Sequence, residues 1–208
     1  MRNSDSQNLP RLLFCLPIIH TQADLGAMGA SIKRAKVQKL GQQEWERQVH
    51  FIDQRWNEIA QVLQGWQERN EIVHARTRLY QDGLPVCEWE EKIVREMASA
   101  GSRNHQLLLQ LHEGGAMLMG TESPQLLLEE YQLVKESLQS GNQLLLEKSQ
   151  TILQRRDQFI ATRINDTLQP GETGILFLGL LHSVEPYLAA DIQVSYPIHQ
   201  PLSSVKSN

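Results

Sequence analysis

Two short apolar runs that each stop at a histidine constrain the fold of this 208-residue chain more than any other feature. The second run, Thr173–Val184, reads T-G-I-L-F-L-G-L-L-H-S-V and reaches His182. The first, Leu12–Thr21, reads L-L-F-C-L-P-I-I-H-T and reaches His20. Apolar runs of this length, bounded by turn residues, are typical of buried strands in a parallel sheet. Because ligands of open α/β sheets bind beyond the carboxyl ends of such strands, both histidines are predicted at one binding edge.

Further strand patterns alternate with helical patterns along the rest of the chain. Weaker strands are predicted at Arg76–Tyr80 and Ala116–Met119, and a last strand at Ile192–Tyr196. Strands that alternate with helical stretches are joined by crossovers and pair in parallel. The pattern therefore predicts an α/β fold with a mostly parallel central sheet of about five strands, helical crossovers and one long amphipathic helix.

The length of the chain is that of one domain with a sizeable core. We expect a disordered leader at residues 1–9, a single α/β domain at 10–197 with a helical elaboration at about 31–68, and a flexible tail at 198–208.

The long helix predicted at about 31–68 carries an apolar seam. Its apolar residues recur at alternating steps of four and three, which places them on one face of a helix. They are Trp45, Val49, Ile52, Trp56, Ile59, Leu63 and Trp66. Because about three heptads are short for an independent coiled coil, packing in the core is the favoured interpretation. The alternative is a surface through which the protein forms a homodimer.

Composition argues against several classes of function. A net charge of −4 gives no electrostatic basis for binding nucleic acid, and no apolar run approaches the length of a membrane span. Cys15 and Cys87 are expected to be reduced thiols, which are typical of a cytoplasmic protein. The sequence has no phosphate-binding P-loop, no G-x-S-x-G elbow, no G-x-G-x-x-G motif and no H-E-x-x-H pair.

Four predicted strands are followed by polar side chains, namely His20, Asp82, Glu122 and His182. Parallel strands bring their carboxyl ends to one edge of the sheet, so these side chains are expected to lie together. Imidazoles and carboxylates are ligands that zinc and manganese accept, and they also serve general acid–base catalysis. Each residue has a structural alternative as well, such as a turn-forming aspartate or a hydrogen-bonded core histidine. Their coincidence at one edge favours a functional site.

Charged residues on neighbouring segments are secondary candidates. Asp24 follows His20 by four residues, which is close enough for it to be a metal ligand or to orient the imidazole. Arg156 and Arg163 are seven residues apart on the helix before the second apolar run and therefore share a helix face. There they either bind an anionic group, stabilising negative charge during a reaction, or simply face the solvent.

A pair of short motifs resembles a known superfamily. Gly179-Leu180-Leu181-His182 is a G-x-x-H motif, and Pro17-Ile18-Ile19-His20 is the same motif with proline in place of glycine. Together with Arg156-Asp157 on the preceding helix, this pair resembles the TraB/Tiki/ChaN-type superfamily, which includes the erythromycin esterase-like proteins. The resemblance implies an α/β fold and a site built from the two motif histidines and acidic residues. Members are described as metal-dependent proteases, haem-uptake proteins and hydrolases, so the resemblance leaves the chemistry open.

The first of two hypotheses is a metal-dependent hydrolase acting on a small molecule or a peptide. His20 and His182 bind a divalent ion, zinc or manganese, together with Glu122 or Asp82. The remaining carboxylate acts as the general base toward a water whose pKa the ion lowers.

The second hypothesis is a non-catalytic protein. The polar strand ends then bind a small ligand or haem, and the tryptophan seam is a surface for self-association.

Overall fold

A five-stranded parallel sheet forms the centre of the structure. The computed structural model describes residues 9–19, 33–34, 37–38, 41–69, 72–140 and 144–198. Its strands are β1 (Arg11–Ile18), β2 (Thr77–Gln81), β3 (Met117–Met119), β4 (Thr173–Gly179) and β5 (Ile192–Ser195). They lie in the order β3-β2-β4-β1-β5, and every described pairing is parallel. The predicted α/β class is therefore confirmed.

Helices connect the strands, as parallel pairing requires. They are α1 (Gln42–Glu68), α2 (Glu90–Ser99), α3 (Arg103–Glu113), α4 (Pro124–Ser140) and α5 (Leu144–Thr167). Single 3-10 turns occur at His74–Arg76 and Glu185–Tyr187. None of the described helices combines the length and the apolar character needed to cross a membrane.

The apolar composition of β4 explains why it occupies the centre of the sheet. It pairs with β1 on one side and β2 on the other, and Ile175, Leu176 and Phe177 are completely buried. Successive side chains of a strand point to opposite faces. Ile175 and Phe177 accordingly pack in the cluster under α1, α2 and α3, whereas Leu176 and Leu178 pack against α5. Helices thus cover both faces of the sheet.

The carboxyl-terminal half of the tryptophan seam belongs to the core. The ring of Trp66 packs against Phe14 with the centroids 4.5 Å apart. The buried members of the seam are Trp56, Ile59, Leu63 and Trp66. The amino-terminal half is more accessible, since Val49 is exposed and Trp45 and Ile52 are half-buried. Core packing is therefore confirmed for half of the seam, and self-association through the rest stays a prediction.

The long helix does not extend continuously over residues 31–68. Gly41 has a φ of 84° and lies between α1 and the helical residues at 33–34 and 37–38. This left-handed conformation interrupts a helix and costs glycine little, so α1 begins only at Gln42. The helical residues at 33–34 and 37–38 precede this interruption, and α1 follows it.

Several predicted features lie outside the described residues. These are the leader up to residue 8, the candidate ligands His20 and Asp24, and the tail from residue 199.

Candidate functional site

Asp82 and Glu122 meet at the edge of the sheet where the strands have their carboxyl ends (the carboxyl edge). The backbone N–H of Asp82 donates to the carbonyl of Phe177 at 2.9 Å, which continues the β2–β4 ladder by one residue. Its carboxylate Oδ2 accepts a hydrogen bond of 3.0 Å from the N–H of Gly179. Asp82 is only 5% exposed, so the turn between strand and helix holds a buried carboxylate rather than a solvated one.

Glu122 reaches the same place from the outer strand. A parallel bridge between Pro85 and Glu122 extends the pairing of β2 with β3 beyond the strands. Glu122 Oε1 accepts a hydrogen bond of 3.1 Å from the N–H of Gly83, whose φ of 82° suits glycine in the tight Asp82-Gly83 turn. Glu122 is completely buried. Both carboxylates are therefore fixed by backbone donors before any side-chain partner is considered.

Arg156 of α5 bonds to three carboxylates at once. Its Nε and Nη2 donate to the two oxygens of Glu122 at 2.9 and 2.5 Å. Nη2 also donates to Asp82 Oδ1 at 2.7 Å, and Nη1 donates to Glu130 Oε2 at 2.7 Å. The buried Ile160 follows Arg156 by four residues, so the same helix face that packs on the sheet carries the guanidinium.

His182 lies between two aspartates at the end of β4. Its Nδ1 is 2.5 Å from Asp157 Oδ1, and its Nε2 is 3.3 Å from Asp82 Oδ2. The N–H of Ser183 donates to Asp157 Oδ2 at 3.0 Å, so both oxygens of this carboxylate hold the loop after β4. The His182 side chain is 4% exposed.

Six side chains form what we call the carboxyl-edge cluster: Asp82, Glu122, Glu130, Arg156, Asp157 and His182. Burial lowers the pKa of Arg156, but the hydrogen bonds and charges of the carboxylates raise it by more than burial lowers it. The pKa therefore lies above its ordinary value, and the guanidinium stays charged. Burial also lowers the pKa of His182, but hydrogen bonds to Asp157 and Asp82 outweigh it and raise the pKa to about 9. Burial raises the pKa of Glu122, which Arg156 offsets only in part.

Three members of the cluster lie close enough together to hold a metal ion. Ligand atoms of Asp82, Glu122 and His182 all lie within 4.8 Å of one another, and this group could hold a metal ion. Two carboxylates and one imidazole are donors that divalent transition metals accept. Asp157 contacts Nδ1 of the imidazole, which is where a carboxylate orients a metal-ligating histidine.

The structure brings four of the predicted site residues together and places a fifth nearby in another role. Asp82, Glu122, Arg156 and His182 are in contact, as described above. Arg163, for which the sequence left open binding of an anionic group or exposure to solvent, donates from Nε to the backbone carbonyl of Gly120 at 3.2 Å and thus supports the loop after β3.

Asp157 and Glu130 were not among the predicted catalytic residues and metal ligands. A signal for Asp157 existed, because it adjoins Arg156 in the pair that carries the superfamily resemblance. Glu130 is the seventh residue of the 17-residue α4, in a helix with other acidic residues, and nothing in its spacing distinguishes it from a solvated glutamate.

A scan against protein-family models and searches of curated proteins and of solved structures found no match. The resemblance to the TraB/Tiki/ChaN-type superfamily therefore stays a prediction.

Proposed function

We propose that the protein is a metal-dependent hydrolase whose divalent ion, zinc or manganese, is held by Asp82, Glu122 and His182. The observation that carries the proposal is the convergence of these three buried donors within 4.8 Å at the carboxyl ends of adjacent parallel strands. That is the place where open α/β sheets bind their ligands.

The charge balance of the cluster favours a further cation. Four carboxyl groups surround one guanidinium and one imidazole among the described side chains. Arg156 is shared by three of these carboxyl groups and compensates one negative charge. A divalent ion would compensate two of the three remaining negative charges, in a site with little access to water.

Each side chain has a distinct part in the proposed reaction. A divalent ion held by Asp82, Glu122 and His182 would supply Lewis acidity and would make a hydrolytic water more acidic. Asp157 holds Nδ1 of His182 and so keeps Nε2 directed at Asp82 Oδ2, 3.3 Å away. We assign the proton-accepting role to Glu130, because its side chain is 35% exposed and can meet a substrate from solvent.

Arg156 has a positioning role in this proposal. All three of its nitrogen atoms donate to carboxylates, so it holds Asp82, Glu122 and Glu130 at fixed separations. This replaces the role of stabilising charge on the substrate that its sequence position suggested. The substrate class, a small molecule or a peptide, comes from the hydrolase hypothesis based on the sequence. No described contact of the cluster specifies it.

One observation favours the non-catalytic alternative. The bonds of Arg156 to Glu122 and Asp82 already satisfy much of the charge of two proposed ligands. In that case the cluster is a structural ion-pair network, and the protein binds a ligand such as haem, or a second copy, elsewhere.

Metal binding by the full chain distinguishes the metal-dependent hydrolase from the non-catalytic alternative. The purified protein, stripped with a chelator, is titrated with Zn²⁺ and Mn²⁺ in a calorimeter, and its metal content is measured by mass spectrometry. We expect near-stoichiometric binding of one of these ions, and its loss in His182→Gln and Asp82→Asn.

The matched control is Asp191→Asn, which removes a carboxylate at the opposite edge of the sheet, where Asp191 pairs with Arg11. It should leave metal binding unchanged. Absence of binding by the wild-type protein, or equal loss in the control, would contradict the proposal. Folding of every variant is checked by circular dichroism before titration.

A further inference from the structure

The first half of α1 extends beyond the carboxyl edge of the sheet. Because α1 leads back to the amino end of β2, it runs opposite to the strands. Trp66 packs against Phe14 of β1, and Trp56 precedes Trp66 by ten residues, or about 15 Å along a helix. β1 ends at Ile18, about 13 Å beyond Phe14 along a strand. Trp56 therefore lies near the level of the strand end, and residues 42–55 continue about 21 Å beyond it.

The start of α5 extends beyond the same edge on the other face of the sheet. Arg156 bonds to Asp82 and Glu122 at the strand ends. α5 begins twelve residues before Arg156, at Leu144, which is about 18 Å further out. α1 packs over the face that carries Phe177, and α5 packs over the opposite face. The carboxyl-edge cluster is thus the floor of a space between two projecting helices.

The wall that α1 forms beside this space is apolar. Trp45, Val49 and Ile52 continue the seam whose other members pack on the sheet, so they lie on the helix face directed at the space beyond it. Val49 is 37% exposed, and Trp45 and Ile52 are half-buried. The described part of the chain therefore leaves an accessible apolar strip beyond the carboxyl edge.

Apolar side chains also lie at the floor and on α5. Leu181 is 82% exposed and directly precedes His182, in a turn where the N–H of His182 donates to the carbonyl of Gly179 at 3.1 Å. Leu153 is half-buried and precedes Arg156 by three residues, so it lies on the same face of α5 about one turn further out. Single exposed leucines are common, but apolar side chains on several sides of one polar cluster are typical of a ligand-binding site.

We propose that the substrate of the hydrolase carries a neutral alkyl or aryl group, which binds between α1 and α5 against the amino-terminal half of the seam and Leu181. The inference rests on the proposed function and adds a substrate class to it. The hydrolysable bond then lies at the carboxyl-edge cluster. The group is neutral because the carboxyl groups of the cluster would repel an anion and the apolar wall would desolvate any charge.

A neutral apolar probe tests the wall without requiring a metal. The full chain, stripped of metal, is titrated with N-phenyl-1-naphthylamine, whose fluorescence rises in apolar surroundings. We expect saturable binding of one probe per chain. Val49→Asp should weaken it about tenfold, because the probe would then cover a charge. Leu181→Ser should weaken it about fivefold through the loss of apolar contact.

Phe51→Asp is the matched control. Phe51 is 41% exposed, close to the 37% of Val49, and it lies two residues further along α1 on a different face of the helix. It introduces the same charge away from the wall, so the affinity for the probe should not change. No saturable binding, or equal weakening in Phe51→Asp, would overturn the proposal. Circular dichroism checks folding, and Leu181→Ser keeps the test decisive if Val49→Asp does not fold.

Metal titration separates failure of this inference from failure of the proposed function. Metal binding without probe binding would overturn the apolar substrate class and leave the hydrolase in place. Probe binding without metal binding would contradict the hydrolase and, with it, the assignment of the wall to a substrate. A dimer that Val49→Asp dissociates, measured by sedimentation velocity, would show that a second copy covers the wall and would also overturn the proposal.

A ligand with both a metal-binding group and an alkyl chain tests whether the wall and the cluster bind one molecule. Octanohydroxamate should displace the probe at a lower concentration from the metal-loaded protein than from the metal-free protein. Displacement at equal concentrations would show that the wall and the cluster act separately, and would overturn the proposal.

Discussion

The two edges of the sheet arrange their charged side chains in different ways. At the edge where the strands begin (the amino edge), Arg11 donates to both oxygens of Asp191 at 2.8 and 2.6 Å. Arg78 likewise bonds to both oxygens of Glu172, which precedes β4. At the carboxyl edge, the single guanidinium of Arg156 serves three carboxylates.

The amino-edge pairs have a clear structural purpose. Arg11 also donates to the carbonyls of Asn165 and Leu168 at 2.7 and 3.1 Å, so it satisfies carbonyl groups at the end of α5. Such bidentate pairs balance charge within themselves and tie chain ends together. Their structural role explains the ion pairs of the amino edge without any bound ligand.

The carboxyl-edge cluster does not balance in this way. Its side chains are more deeply buried than the amino-edge pairs, and its negative groups outnumber its positive ones. Desolvation of paired charges is seldom repaid by their attraction alone, so such a cluster is weak evidence for a stabilising role. The difference between the edges is therefore the strongest indication in the fold that one of them is functional.

The largest expected effect comes from removing Arg156. In Arg156→Met, the carboxylates of Asp82 and Glu122 stay buried without their cation, and we expect a loss of about 3–5 kcal/mol in the free energy of unfolding. Urea denaturation followed by tryptophan fluorescence measures it.

The neighbouring Arg155 provides the matched control. It pairs with Glu129 at 2.7 Å, but its side chain is 48% exposed. Arg155→Met should therefore cost no more than about 0.5 kcal/mol. Equal losses in the two variants would show that the cluster is no different from a surface pair.

His182 should make the metal-free protein less stable in alkaline solution. Its pKa is raised to about 9 in the folded chain, so its contribution to stability is complete below the ordinary histidine pKa, about 6.5, and is lost as the pH rises through about 9. The expected change is about 3 kcal/mol between these limits. Thermal or urea unfolding in a chelator-containing buffer at increasing pH measures it.

The control for this pH dependence is His182→Gln, which keeps a polar side chain but cannot titrate. Its stability should vary less than that of the wild-type protein between about pH 6.5 and about pH 9. Parallel curves for the two proteins would contradict the prediction.

Much of the fold followed from the sequence because its signals are local. Apolar runs such as Thr173–Val184 specify buried strands, and their alternation with helices specifies parallel pairing. The residues after those runs marked the carboxyl edge, so Asp82, Glu122 and His182 were identified before any contact was known. The order β3-β2-β4-β1-β5 was not predicted, because it depends on pairing between distant segments.

The rest of the site depends on packing that no local pattern records. Glu130 is an ordinary helix residue in the sequence, and Asp157 is marked only by its position beside Arg156. Only the placement of α5 and α4 against the strand ends brings Asp157 to His182 and Glu130 to Arg156. The division of the tryptophan seam has a similar cause. Its periodicity is uniform, but only the half from Trp56 onward lies in the core cluster that packs on the sheet.

The amino edge should show the smallest effect and the opposite response to pH. Burial raises the pKa of Glu172, but hydrogen bonds from Arg78 and from the backbone of Gln169 outweigh it and hold the pKa below its ordinary value. The contribution of Glu172 to stability is therefore present above the unfolded pKa of a glutamate, about 4.3, and is lost as the pH falls through the lower folded value.

Because the pair of Arg78 and Glu172 is only half-buried, we expect Glu172→Gln to cost about 1 kcal/mol at neutral pH. In urea unfolding, this difference from the wild-type protein should shrink on acidification and stay constant on the alkaline side, where His182 acts. A difference that instead grows in alkali would show that the two edges are coupled rather than independent.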